Sequence, residues 1–218
     1  NEPGDPGAYW PAFAETVTAY RLDSACFLDM LAGQDEDLDH RGYETDAELS
    51  SYCYRVASTV GLLCMAIWGL RAGADPALAR KLAISRGQAF QRTNILRDLA
   101  EDFDESPRRL YLPRESLRRF ALTPDELRTW ARPDACIALV NYEATIARSH
   151  YNASAPLEDM IEPSCRPTLW AMTRIYEGIL RQVEATPELV VAPVRAGLSR
   201  RRKLAIALTA SVRARAAR

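Results

Sequence analysis

Histidine is nearly missing from this chain of 218 residues, with His40 and His150 the only two. So few imidazoles leave little for a transition-metal site and no ready base for a serine triad, which argues against zinc and serine-hydrolase chemistry. The five cysteines, Cys26, Cys53, Cys64, Cys136 and Cys165, contain no CxxC pair and form no even framework. They read as reduced thiols of a cytosolic protein. No stretch reaches the roughly 18 uninterrupted apolar residues of a spanning helix. The longest, VGLLCMAIWGL at 60–70, suits a buried helix. The opening NEPGDPGAYW lacks the basic start and apolar segment of a signal peptide, and its loop-like character without an initiator Met suggests that an upstream part exists. Strand-like alternation is also nearly absent.

What remains is helical. Apolar residues make up 48% and charged residues 26%, an ordinary soluble composition, and the formal net charge of −1 argues against a dedicated nucleic-acid binder. Short helices are expected over 11–20 and 24–32. A long one opens at TDAELSSYCYRVASTVGLLCMAIWGL, with Thr45 as N-cap, Glu48 as its capping-box partner and Gly73 as breaker. Pro76 then starts a second long helix, PALARKLAISRGQAFQRTNILRDLAEDF, of roughly 40 Å. Further helices are expected in YLPRESLRRF, TPDELRTW, 133–152, 166–184 and a last basic segment. No repeat or linker divides them, so residues 1–218 read as one all-α domain of about eight helices.

Near the end of the second long helix, QRTNILRDLAED sets Gln91, Asn94, Asp98 and Asp102 at steps of three, four and four, which places them on one helix face. Two carboxylates a turn apart repel each other, and burying them unpaired costs far more, so a positive partner is expected between them. Oxygen ligands from Asn94, Asp98 and Asp102 suit Mg²⁺ shared with a substrate's phosphates. Gln91 would hold waters or diphosphate oxygens, and Arg97, Arg108 and Arg109 would add positive charge. The alternative is a solvated acidic face paired with Arg92, Arg97 or Arg108. Ala83, Gly87, Ala89 and Phe90, one to three turns earlier, are apolar or small enough to line a pocket. In SYCYRVASTVGLL, Tyr52, Val56, Val60 and Gly61 also recur at helical spacing, as plain core would. A mid-helix Gly61 costs about 1 kcal/mol relative to Ala and is easier to understand if a hydrocarbon chain approaches the backbone there.

Two long segments, TDAELSSYCYRVASTVG and GQAFQRTNILRDLAEDFDESPRRLYLP, resemble the squalene/phytoene synthase family, the head-to-head trans-prenyl transferases. The resemblance implies an isoprenoid-synthase helical bundle around a deep apolar cavity, with Mg²⁺ held by two Asp-rich motifs at its mouth. The second motif falls on Asp98 and Asp102, with Gln91, Asn94 and Arg97 beside it. The prenyl site falls on Tyr43, Tyr52, Val56, Val60 and Gly61, a late-helix tyrosine on Tyr176, and a diphosphate-binding arginine on Arg195. Nothing before Tyr43 matches the first Asp-rich motif. The cluster Asp35, Asp37 and Asp39 aligns with a different acidic segment and reads as a solvated acidic turn. The chain therefore resembles a domain lacking its N-terminal helices.

The implied reaction joins two farnesyl or geranylgeranyl diphosphates through a cyclopropylcarbinyl diphosphate to squalene, dehydrosqualene or phytoene. It needs no protein nucleophile, in agreement with the missing Ser/His and Cys/His constellations. NADPH enters only if the product is squalene, and no GxGxxG fingerprint is present. The alternatives are a non-catalytic scaffold relative that has lost the first motif, and a head-to-tail prenyl transferase or terpene cyclase, against which YCYRVASTVG speaks. From Arg195 to Arg218 there are eight basic residues and no acid. That segment is either a solvated helix end or a surface for anionic lipid, and the expected location is cytoplasmic with peripheral contact at the inner membrane face.

Overall fold

The structure, a computed structural model, describes Gly7 and residues 9–216. Among these residues there are eleven α-helices and no strand, only an isolated antiparallel bridge between Leu70 and Ile161. The first two, α1 (Trp10–Ala19) and α2 (Ser24–Leu38), are joined by edge contacts of Phe13 with Phe27. Helix α2 runs past the expected stop before Gly33. That glycine is a crossing point rather than a terminator, because a Cβ there would meet Val56 Cγ1 at 2.7 Å.

Thr45 caps α3 (Asp46–Cys53) in the expected box with Glu48. One widened π turn at Tyr54–Ser58 follows, and α4 (Thr59–Trp68) continues the rod. The breaker is Gly69, not Gly73. It takes φ +80°, its N–H reaches the Met65 carbonyl at 2.9 Å, and its own carbonyl accepts from Glu162 N at 3.1 Å, so the rod ends where a tertiary contact turns it. The 60–70 segment is not a buried helix either, since Val60 and Ile67 are each 41% exposed.

The central element is α5 (Pro76–Asp104), 29 residues long and capped by the Asp75 carboxylate on Ala77 N at 2.8 Å. Its mid-helix Gly87 is explained by packing: a Cβ there would stand 2.5 Å from Ser58 Cα in the π turn. Short α6 (Arg114–Arg119) and α7 (Pro124–Arg128) lead to α8 (Pro133–Ala153). The one-turn α9 (Leu157–Met160) precedes α10 (Arg166–Ala185), and α11 (Arg200–Ala216) closes the chain. Leu96 and Leu99 of α5 meet Leu139, Val140 and Ala144 of α8 and Leu180 and Val183 of α10 in the main core. A smaller core joins Leu62, Ala79 and Ala83 to Leu157, Ile161 and Leu169. No helix among the described residues is long and apolar enough to cross a membrane.

Candidate active site

Between the two cores lies a cavity of about 220 Å³, walled by the π turn and α4, by α5, and by α9 and α10. It forms because Ala83 of α5 faces Gly61 of α4, too little side chain to fill the gap. Nine of the expected residues line it: Val56, Val60, Gly61, Ala83, Gly87, Phe90, Gln91, Asn94 and Tyr176, whereas Ala89 is buried in the main core instead. A Cβ on Gly61 would meet only the Ala83 carbonyl, at 3.5 Å, so that glycine is not required by helix packing. Phe90 stacks on Tyr176 with ring centroids 4.5 Å apart and forms part of the wall.

Sequence reasoning missed the far wall, made by Met65, Trp68, Leu157, Leu169 and Met172, and it missed Arg86. Arg86 is 3% exposed and satisfied by Ser154 and Thr173, with Glu158 at 3.4 Å. Burial pulls its guanidinium pKa down while Glu158 opposes the shift. The far wall carried no polar signal against the background of ordinary core residues.

The polar stripe climbs out of this cavity. Gln91 and Asn94 line it, and the Asn94 amide oxygen is buried without a hydrogen-bond donor among the described residues. One turn on, Asp98 is 19% exposed and is held by Arg97 Nε at 2.7 Å and Arg195 Nη1 at 3.4 Å. Arg195, placed by resemblance alone, therefore does reach the stripe, where it also pairs with Glu101. Asp102, 22% exposed, has among the described residues only Arg109 Nη2, at 3.9 Å. Burial, and then the neighbouring Asp98 charge, push its carboxyl up to about 6. The solvated-face alternative holds in one respect, the pairing of Arg97 with Asp98, but both carboxylates are partly buried rather than solvated. Arg92 points to the opposite side, toward Asp46 and Glu143, and Arg108 pairs with Asp125.

Tyr43 and Tyr52 lie outside the cavity walls. They form a buried cluster with Tyr111, the rings of Tyr52 and Tyr111 stacking at 5.3 Å. Both Tyr52 and Tyr111 hydroxyls donate to the Asp37 carboxylate, at 2.9 and 3.0 Å. Burial raises all three phenol pKa values, which keeps them protonated. Asp37 is thus not part of a solvated turn: α2 continues to Leu38 and carries it against the tyrosines, near enough for its charge to act on Asp102. Asp39 fits the expectation, exposed and paired with Arg41, and Asp35 is exposed too, but on α2 rather than in a turn. The signal that would have found Asp37 is the continuation of the α2 pattern through Gly33.

The stripe fits Mg²⁺ in its donor chemistry. The orphaned Asn94 oxygen and two partly buried carboxylates offer hard oxygen ligands, and the remaining positions of an octahedral ion would fall to water and phosphate oxygens. Among the described residues no group of three or more His, Cys, Asp or Glu side chains is placed to hold a metal from protein alone.

Residues 4–202 match the family model described as squalene/phytoene synthase. The 15-cis-phytoene synthase of Synechocystis sp. is 36% identical over 182 residues, which cover 80% of this chain and 53% of the relative. The chloroplastic phytoene synthase of Daucus carota is 33% identical over 179 residues, 81% of this chain and 44% of the relative. The chain thus spans about half the length of the curated relatives it matches. Among solved structures, a dehydrosqualene synthase in complex with ligand superposes with a TM-score of 0.78 at 29% identity, covering 96% of this chain and 71% of that one. A squalene synthase from Alicyclobacillus acidocaldarius shares the fold with a TM-score of 0.70 at 24% identity, over 78% of this chain and 62% of that one.

Proposed function

The chain belongs to the squalene/phytoene synthase family, and from that premise we propose that it carries the diphosphate-binding stripe and prenyl cavity of a head-to-head prenyl transferase. The substrates are two farnesyl or geranylgeranyl diphosphates. The C1–O bond of one breaks and diphosphate leaves, the freed C1 bonds to the double bond of the other, and loss of a proton closes a cyclopropylcarbinyl diphosphate. The observation that carries this reading is the course of one helix face, from an apolar cavity past an unpartnered amide oxygen to two half-buried carboxylates ringed by arginines.

Each part has a physical role. The cavity walls exclude water from the prenyl chain, which protects a cationic carbon from capture by solvent. Arg97, Arg109 and Arg195 supply guanidinium forks that transfer from carboxylate to diphosphate oxygens as the leaving group gathers charge. Asn94, Asp98 and Asp102 would hold Mg²⁺, which when bound supplies further positive charge and ligand positions for the diphosphate. The ring faces of Phe90 and Tyr176 offer negative π density to a cationic carbon. The Asp37 hydrogen bonds fix the Tyr52 and Tyr111 phenols behind the stripe.

The test is a product assay on the longest expressible chain with Mg²⁺ and radiolabelled farnesyl or geranylgeranyl diphosphate, with and without NADPH. Asp98→Asn and Asp102→Asn are each expected to lower kcat/KM by about 100-fold or more, the equivalent of several kcal/mol of lost charge stabilisation. The carbon count of the product fixes the substrate class. A folded protein that yields no product with either substrate would overturn the enzymatic reading in favour of the non-catalytic scaffold.

A further inference from the structure

Helix α11 has two apolar edges, and the described residues cover only one. Ile206, Ala210 and Ala214 are half-buried on the side packed against α10, where the Arg213 guanidinium also lies 4.4 Å above the Trp170 ring. At 100° per residue, Leu204, Leu208 and Val212 occupy a sector about 80° wide on the opposite side. Their exposures are 60%, 59% and 65%. The same rotation brings Arg200, Arg201 and Arg215, all exposed, to the borders and ends of this ridge. From Arg195 to the end of the chain no acidic residue dilutes the charge.

We infer that this outer ridge is a docking surface for an anionic lipid bilayer, with α11 lying in the plane of the headgroups. An interfacial helix needs this pairing: apolar side chains that enter the acyl boundary, and cations around them that meet lipid phosphates. The charge pattern disfavours a second copy, because a two-fold contact through the ridge would face arginine with arginine and offer no acid to either. It also disfavours nucleic acid, whose phosphates would lie against the leucines. Position adds to the case. Helix α10, on which α11 rests, turns Leu169, Met172 and Tyr176 toward the apolar cavity, so the proposed lipid surface lies one pair of packed helices away from that cavity.

The experiment is co-sedimentation of the full chain, without substrate, with vesicles of phosphatidylglycerol and phosphatidylcholine or of phosphatidylcholine alone. Binding therefore reads out independently of catalysis, and its failure would leave the proposed activity standing. The anionic vesicles are expected to bind the protein, and the neutral ones at least tenfold less. Arg201→Gln and Arg215→Gln should each weaken partitioning about fivefold, an effect that shrinks in high salt. The triple variant Leu204→Asn, Leu208→Asn, Val212→Thr should lower it about tenfold or more, since it removes the inserted apolar surface. Leu28→Asn with Leu31→Asn, on an exposed edge of α2 that carries Asp35 and no cation, should leave binding unchanged. Thermal melting checks each fold, and if the triple variant does not fold, the two arginine variants decide. Equal binding to both vesicle types, full binding by the ridge and arginine variants, or an equal loss in the α2 control would each overturn the inference. So would a concentration-dependent dimer, lost with the ridge variants, in place of vesicle binding.

Discussion

Helix α5 packs leucine on one side and almost nothing on the other. Toward α8 it buries Leu96 at 1% and Leu99 at 3% exposure against a continuous wall of aliphatic side chains. Toward α4 and α10 it offers Ala83, Gly87, Gln91 and Asn94, and a cavity opens. One uninterrupted helix thus builds a stiff core and a binding void about half a rotation apart. Side-chain volume and polarity, not backbone, separate scaffold from site. The same helix then sets its two carboxylates in unequal surroundings: Asp98 is closely held by two arginines, whereas Asp102 is left with one at 3.9 Å.

The largest expected contrast comes from truncating each side. Leu96→Ala should cost about 2–5 kcal/mol in chemical denaturation, because a tightly packed wall cannot collapse onto the gap. Met172→Ala, which only enlarges an existing void, should cost less than about 2 kcal/mol, since its side chain already lacks part of its contacts. Equal losses would mean that the cavity wall is as rigid as the core.

Next in size is Gly87→Ala, expected to cost about 1–3 kcal/mol because the new Cβ drives into Ser58 backbone 2.5 Å away. Differential scanning calorimetry should show the lowered Tm. A neutral result would place the close crossing of α5 with the π turn elsewhere.

Asp102 provides the pH test, made without Mg²⁺. Burial holds its folded-state pKa near 6, above the ordinary carboxylate range. A group with a raised folded pKa binds its proton more tightly in the native state, so its contribution to stability is present at low pH and is lost as pH rises through about 6. Asp102→Asn is neutral at every pH. It should match the parent near pH 4 and exceed its stability by on the order of 1 kcal/mol near pH 7.5, allowing for partial solvent access. A gain that is the same at both pH values would remove burial as the cause.

The smallest effect belongs to Gly61→Ala. The added methyl meets ordinary van der Waals space, so helix propensity should raise stability by about 0.5–1 kcal/mol while the methyl narrows the cavity. Together with Gly87→Ala it separates a glycine kept for the void from one kept for packing. Lost stability would identify Gly61 as a packing glycine as well.

Much of this was legible in residue spacing. The capping box at Thr45, Pro76 at the head of α5, and the four polar side chains on one stripe all follow from a 3.6-residue turn and from backbone donors left open at helix ends. Such features depend on residues within one or two turns of each other. The glycines were less transparent. Gly33 and Gly87 are kept by another helix's atoms, and Gly69 rather than Gly73 ends α4 because Glu162 meets it there. Each looks alike in the chain. Asp37 was hidden for the same reason: its partners Tyr52 and Tyr111 are 15 and 74 residues away.

Local periodicity therefore specified the helices, the stripe and the kind of ligand its oxygens suit. Contacts between distant segments settled which face of α5 is hollow, which carboxylate stands nearly alone, and which edge of α11 is left to the outside. The physical reason is that helix hydrogen bonds close over four residues, whereas burial, dielectric and void volume are properties of whatever the fold brings alongside.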